Sequence, residues 1–267
     1  MRNPGESGAM SSERPLGPVP PKSVLARGLR LLDAFGPADT ELSLAELSAR
    51  TGLPKPTAYR LLRQLLAWGG VEQTPGGGYR LGLRLFTLGQ QVPRQRELRR
   101  RALPYLEDLY EATHENVHLA VYHGTDTLFL EKLTGHRSTP IVSRPGSRLP
   151  GHCTATGKVF LALGPPERLH RTLDGGLSRL TPRTIVLAGM LRRELDRTRD
   201  RGYAVNVEES EIGVVAVAAP VLDGASRVIA SISVTGGTHQ IAVERLAPTI
   251  CVAAKALSRE LATASAS

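Results

Sequence analysis

The apolar positions change period along the chain. Over residues 23–35 (SVLARGLRLLDAF) a serine suited to an N-cap precedes Leu25, Leu29 and Leu32 at helical spacing, which predicts an amphipathic helix. Residues 42–66 (LSLAELSARTGLPKPTAYRLLRQLL) predict two more helices joined by a short turn. Ser43 and Glu46 make the S-x-x-E capping box of the first, Gly52 suits its C-cap, and Pro54 and Pro56 forbid its continuation. Winding residues 56–67 at about 100° each puts Ala58, Leu61, Leu62, Leu65 and Leu66 on one side, with Thr57, Tyr59, Arg60, Arg63 and Gln64 on the other. Two short runs, Val71–Gln73 and Tyr79–Leu81, flank the turn residues Thr74-Pro75-Gly76-Gly77-Gly78 and predict a hairpin. Residues 82–113 read as helix broken at Pro93 and Pro104, with Pro104 opening a shorter helix that buries Leu103, Leu106 and Leu109.

From Val117 the period falls to 2. Strands are predicted over 117–122 and 127–133, helices over 154–163, 166–173 and 187–201, strands over 203–207, 213–222 and 228–235, and a closing helix carrying Val243, Leu246, Ile250, Leu257 and Leu261. Strands and helices in this order predict an α+β domain around a mostly antiparallel sheet.

Length and charge sharpen this division. A chain of 267 residues exceeds the usual single domain. Residues 1–101 hold 16 Lys and Arg against 8 Asp and Glu, net +8, whereas residues 102–267 hold 18 against 17, net +1, which accounts for the overall +9. The positive excess therefore sits around the paired helices, where a phosphate-binding surface needs it, although attraction to RNA or an acidic membrane fits the same charge. No run of eighteen apolar residues is present, and the Gly-, Pro- and Ser-rich first 21 residues have no apolar centre of a secretory signal. The expectation is a cytoplasmic protein with a disordered N-terminal lead-in. Cys153 and Cys251 lie too far apart in the chain for a C-x-x-C module.

The paired helices suit a helix-turn-helix whose second member reads a DNA major groove, the hairpin being a wing; an ordinary helical hairpin with a solvated polar face fits the same pattern. The candidate DNA-contacting residues are Ser43, Lys55, Pro56, Thr57, Tyr59, Arg60, Arg63 and, on the wing, Arg80, because Arg and Lys meet phosphates and Arg also reads guanine edges. The basic stretch 94–101 suits a linker helix or a solvated helical face.

Three motifs suggest other chemistry. His114-Glu115-Asn116-Val117-His118 spells the zinc-protease signature H-E-x-x-H, so a zinc-dependent metalloenzyme is the alternative reading. That chemistry needs both histidines on one helical face, and here they straddle a helix end and a strand start. Residues 151–158 (GHCTATGK) look like a phosphate loop, but five residues separate the glycines and valine follows the lysine. His152 and Cys153 are adjacent, with no orienting acid evident for a thiol nucleophile. Small polar residues opening a helix also fit a small-ligand site at its free amides, or a plain capped helix.

The motifs LAELSARTGLPKPTAYRLLRQL, YRLGLRL, LPGHCTATGKVFLA, ELDRTRDRGYAVNVEES, GVVAVAAPVLD and SISVTGG occur in order, and over roughly residues 22–260 the chain resembles the IclR family of bacterial transcriptional regulators. The resemblance implies a winged helix-turn-helix over 22–84, a linker helix over 85–101 used in dimerisation, and a GAF-like α/β effector-binding and oligomerisation domain over 102–267. It implies a regulator, more often a repressor, that binds pseudo-palindromic double-stranded operator DNA as a homodimer or homotetramer and responds to a small-molecule effector, with no cofactor, metal or catalytic residue. By position, the effector pocket would draw on Cys153, Thr154, Ala155, Thr156, Asn206, Glu208, Ala216, Ser233 and Thr235. The family pattern for small keto-acid binders has an acidic residue at Asn206 and a cysteine at Ala216, so this chain is expected to have a roomier, less polar wall and a neutral or partly apolar, even aromatic, effector.

Overall fold

The computed structural model of the chain describes residues 23–36, 39–136 and 141–264; the expected disordered lead-in over 1–21 lies outside them. The chain forms two compact units, meeting in sequence at Gln91 and Val92.

The N-terminal unit contains α1 (Val24–Asp33), α2 (Leu44–Thr51), α3 (Lys55–Trp68), the strands β1 (Val71–Gln73) and β2 (Tyr79–Leu81), and α4 (Leu83–Gln90). Ser23 caps α1 by accepting from the Ala26 amide. The inward face of α1 differs from the expected leucine stripe: Ala26 and Leu31 are buried, whereas Leu25 and Leu29 are exposed. Leucines lie on more than one face of this helix, and spacing alone did not identify the face that meets the core. The predicted capping box of α2 is complete, with Ser43 Oγ accepting from the Glu46 amide and Glu46 returning a carboxylate to the Ser43 amide at 2.8 Å. Gly52 ends α2 at φ 67°, a left-handed conformation in which a side chain is strained. The core is formed by Leu31, Leu42, Leu47, Leu53, Ala58, Leu61, Leu62, Val71 and Tyr79. β1 and β2 pair antiparallel, and Tyr79 adds a bridge to Leu42.

The expected linker helix over 85–101 is instead shared between α4 and a long helix, α5 (Pro93–Thr113), and α5 runs through Pro104 rather than starting there. An interior proline forfeits one i→i−4 bond, here to the Arg100 carbonyl, and packing on both sides outweighs that loss. Leu98, Ala102, Leu106 and Leu109 are all buried. The later part of the basic stretch is neutralised locally: Arg100 and Arg101 pair with Glu97, Arg99 with Glu131, and Arg101 also with Glu260.

The C-terminal unit adds β3 (Asn116–His123), β4 (Asp126–Leu133), β5 (Arg148–Pro150), a 3-10 turn (Gly151–Cys153), α6 (Ala155–Leu163), α7 (Pro166–Asp174), α8 (Ala188–Arg201), β6 (Ala204–Val207), β7 (Val214–Leu222), β8 (Val228–Gly237) and α9 (Val243–Ala264). The six strands form one antiparallel sheet in the order β5-β4-β3-β8-β7-β6. Strand alternation divides its two faces. Val117, Leu119, Val217, Ala219, Val221, Ile232 and Val234 point to one face and build the main core with α5 and α9. His118, Ala216, Ser233 and Thr235 point to the other, which α6 covers.

Leu106 is fully buried in the main core. Leu106→Ala is expected to destabilise the protein by about 2–5 kcal/mol, measured by urea unfolding followed by far-UV circular dichroism.

Candidate functional site

In the N-terminal unit, α3 sorts its residues as its periodicity predicts. Ala58, Leu61 and Leu62 are buried, while Lys55, Pro56, Tyr59, Arg60, Arg63 and Gln64 are exposed and Thr57 is half-buried. The cations differ in what they touch. Arg50 pairs with Asp39 and Arg80 with Glu72, but among the described residues Lys55, Arg60 and Arg63 have no ion-pair partner. The outer face of α3 thus carries unneutralised charge beside hydrogen-bonding side chains. Ser43 serves the α2 capping box, and Arg80 is engaged on the wing rather than free for a phosphate.

In the C-terminal unit a cavity lies between the polar sheet face and the start of α6. Its floor follows from strand register: Ala216 pairs with Asn206 on one side and with Thr235 on the other, and Ser233 lies opposite His118. Its wall is the first turn of α6. Thr154 caps that helix, its hydroxyl accepting from the Gly157 amide at 3.1 Å, which leaves the Ala155 and Thr156 amides without intrahelical partners. A Cβ at Gly157 would stand 2.2 Å from the Gly151 carbonyl oxygen, so only glycine lets the Gly151–Cys153 turn pack here. The third side is the turn after β6. The Asn206 carbonyl accepts from the Glu209 amide at 2.8 Å and its amide donates to Ser210 at 2.7 Å, committing both ends of that side chain to shaping the turn.

Beneath the turn, Lys158 is 1% exposed, donates to the Val205 carbonyl at 2.9 Å and pairs with Glu209. Burial raises the Glu209 carboxyl against the opposing pull of Lys158. The resulting cavity of about 30 Å³ has room for the centres of about two waters.

Of the expected effector residues, Thr154, Ala155, Thr156, Asn206, Ala216, Ser233 and Thr235 line this cavity. Cys153 and Glu208 do not. The Cys153 thiol is buried against the Pro150 carbonyl, and burial followed by the Glu209 charge pushes it up to about 12, so it stays a thiol. Glu208 turns away at φ 56° and accepts from the Gly213 amide. The lining is also more polar than expected. His118, Ser143, Ser210 and Glu211 join it, and nine of its sixteen residues are polar. His118 was singled out in sequence only as part of H-E-x-x-H; its period-2 position beside Val117 was the available signal that it faces across the sheet.

That motif is split as its context predicts. His114 ends α5 at φ 55° beside Tyr110 and His136, while His118 lies within β3 with Nε2 2.9 Å from Ser143 Oγ. Among the described residues no three His, Cys, Asp or Glu side chains gather as a metal group. His152 is likewise structural, its Nε2 donating to the Ser178 carbonyl. His118 Nδ1 and Thr156 Oγ1 are buried with no hydrogen-bond partner among the described residues.

Burial, aided by the Lys132 charge, pushes His118 down to about 3 from 6.5. Between those values the unfolded chain binds a proton that the native state does not, so this residue's contribution to stability is present above pH 6.5 and is lost as pH falls toward 3. His118→Gln is expected to flatten the fall in thermal midpoint between pH 6.5 and 4.5, measured by differential scanning calorimetry.

Known proteins match both units of the chain. The IclR helix-turn-helix domain matches residues 24–75, and the bacterial transcriptional regulator IclR C-terminal domain matches residues 90–263. The chain is 37% identical to the HTH-type transcriptional regulator XynR of Escherichia coli over 217 residues, covering 80% of this chain and 86% of that one. It is 36% identical to the glycerol operon regulatory protein of Streptomyces griseus, with 84% and 86% covered. Among solved structures, an IclR homolog from Microbacterium hydrocarbonoxydans complexed with 4-hydroxybenzoate superposes with a TM-score of 0.83 at 31% identity, covering 90% of this chain and 99% of that one. The Thermotoga maritima IclR superposes at 0.73 with 30% identity, covering 89% and 98%. Two domain matches in order, spanning most of the chain and consistent with the winged helix-turn-helix and the cavity-bearing α+β unit, establish that the chain belongs to the IclR family of transcriptional regulators.

Proposed function

We propose that the chain binds a pseudo-palindromic operator as a homodimer or homotetramer, acts more often as a repressor than as an activator, and changes its grip on DNA when a small organic effector occupies the C-terminal cavity. The reading gives it no catalytic role and places it in the cytoplasm with its DNA. The observation that carries it is the unpaired cationic face of α3. Lys55, Arg60 and Arg63 stand exposed without intramolecular counter-ions among the described residues, whereas most arginines of the neighbouring basic stretch are neutralised within the protein. Phosphates and guanine edges are what such side chains lack. Ser43, Pro56, Thr57 and Tyr59 complete the proposed contact surface, with Arg80 in a lesser role because Glu72 holds it.

The effector reading is supported by the cavity and by its position at the opening of α6. Free amides and the helix dipole there suit one carboxylate. The Microbacterium relative was solved with 4-hydroxybenzoate, a small organic acid, which supports an effector of similar kind. Thr154, Ala155, Thr156, Ser233 and Thr235 are the proposed contacts, with Asn206 and Ala216 as shaping wall. An effector can act only through unequal affinity for DNA-competent and DNA-incompetent arrangements.

DNase footprinting on genomic fragments is expected to reveal a protected pseudo-palindrome. On that operator Arg60→Ala is expected to weaken binding by roughly 1–3 kcal/mol in fluorescence anisotropy, with Arg80→Ala costing less. An Arg60 variant that bound unchanged would remove α3 as the reading helix.

A further inference from the structure

The cavity contains two buried polar atoms that have no partner among the described residues, His118 Nδ1 and Thr156 Oγ1. Their residues are 1% and 2% exposed, and both line the space. Thr156 stands at the opening of α6 beside the free amides. His118 belongs to the sheet floor, where its other ring nitrogen is taken by Ser143. A buried polar atom without a partner is costly, so a ligand that answers it is favoured over one that cannot.

The charges of the lining narrow the class further. Among the described residues no Lys or Arg lines the cavity, and the one acidic residue among them that does is Glu211, whose carboxylate accepts from the Val142 amide at 3.3 Å. Lys132, the cation near His118, gives its amine to the Ser143 carbonyl instead. A helix N-terminus accommodates one negative charge, and a second would meet the Glu211 carboxylate, which Lys132 offsets only from behind the Ser143 carbonyl.

We propose that the effector is a small hydroxy acid with a single negative charge: His118 selects for its hydroxyl group, and Glu211 disfavours phosphorylated and dicarboxylic analogues. This rests on the reading of the cavity as the effector site, with the carboxylate at α6. Neutral His118 supplies one donor or one acceptor at Nδ1 according to tautomer, and a hydroxyl matches either.

The test is isothermal titration calorimetry on the full chain with acids that differ by one group. Lactate is compared with propionate, 4-hydroxybenzoate with benzoate, and glycerate with 3-phosphoglycerate. Hydroxylated acids are expected to bind about ten-fold tighter than their unsubstituted partners, and glycerate at least about ten-fold tighter than its phosphate ester. His118→Phe should bring the ratio of affinities within each hydroxylated and unsubstituted pair to about one. Thr156→Val should weaken both members of a pair alike, and Glu211→Gln should admit 3-phosphoglycerate. His118→Gln provides a second variant if the phenylalanine disturbs folding, and it should retain part of the preference.

Equal affinity within the pairs, a preference that survives in His118→Phe, tighter binding of the phosphate ester, or no binding across the panel would each overturn the inference. Operator binding measured in parallel separates the two levels. A protein that binds its operator but prefers phosphorylated acids keeps the regulatory reading and loses this one; a protein that binds hydroxy acids but no duplex does the reverse.

Discussion

A lysine buried to 1% inside α6 is tolerated only where its charge is paired and its donors are answered, and Glu209 supplies the charge while Glu209 and the Val205 carbonyl accept two of its three donors. Replacing such a pair with hydrocarbon can be neutral for stability, so its consequence here is better sought in placement than in strength. The pair draws the turn after β6 against α6, and Asn206 then fixes the path of that turn through its two hydrogen bonds. Ser210 and Glu211 are carried into the cavity wall as a result. Thr181 and Thr184 hold the same turn from outside by donating to the Glu208 and Glu209 carbonyls. Without these anchors the proposed effector positions would be close in sequence motif but have no fixed arrangement in space.

Alternation along the strands does the complementary work. β7 and β8 are buried on both faces, which is unusual for antiparallel strands and requires helices on each side. One face is hydrocarbon and makes the main core with α5 and α9. The other presents Ser233, Thr235 and His118, whose polar groups would destabilise a dry core but suit a space that takes a ligand. In the N-terminal unit the same division appears at helical period, with Leu61 and Leu62 buried and Arg60 and Arg63 outside.

Much of this was legible in the sequence where a single period ran long enough. The capping box at Ser43, the Gly52 turn, the sides of α3, the wing and five of the six strands of the large sheet follow from local chemistry. What escaped depended on tertiary choices. The leucines of α1 lie on more than one face, and the core selected Ala26 and Leu31. Pro104 reads as a helix start, yet α5 passes through it because Leu98, Ala102, Leu106 and Leu109 share one packed side across the proline. Strand β5 has only three residues, too few for a period to show. At the site, Lys158 registered only as part of a failed phosphate loop because its partner lies 51 residues away, and Glu208 was expected inside where Glu209 is the buried acid. Neighbouring glutamates in NVEES cannot be told apart without the left-handed bend at Glu208.

The small size of the cavity bears on how an effector could act. With room for the centres of only about two waters, the cavity would take a bulky organic acid more readily if one wall moved. The sheet floor is held by ladder hydrogen bonds, the α6 wall by Gly157 against Gly151, and the β6 turn by Lys158 and Asn206. On the remaining side Ser143 is buried and held by Lys132 and His118, whereas Val142 is attached more lightly: it is 60% exposed and its amide bond to Glu211 is long at 3.3 Å. Ligand binding is therefore expected to move Val142 away from Glu211 first, while Ser143 keeps its bonds to His118 and Lys132. A ligand that meets the cavity face of Glu211 then favours one placement of Val142 over the other, which is what unequal affinity for two states requires.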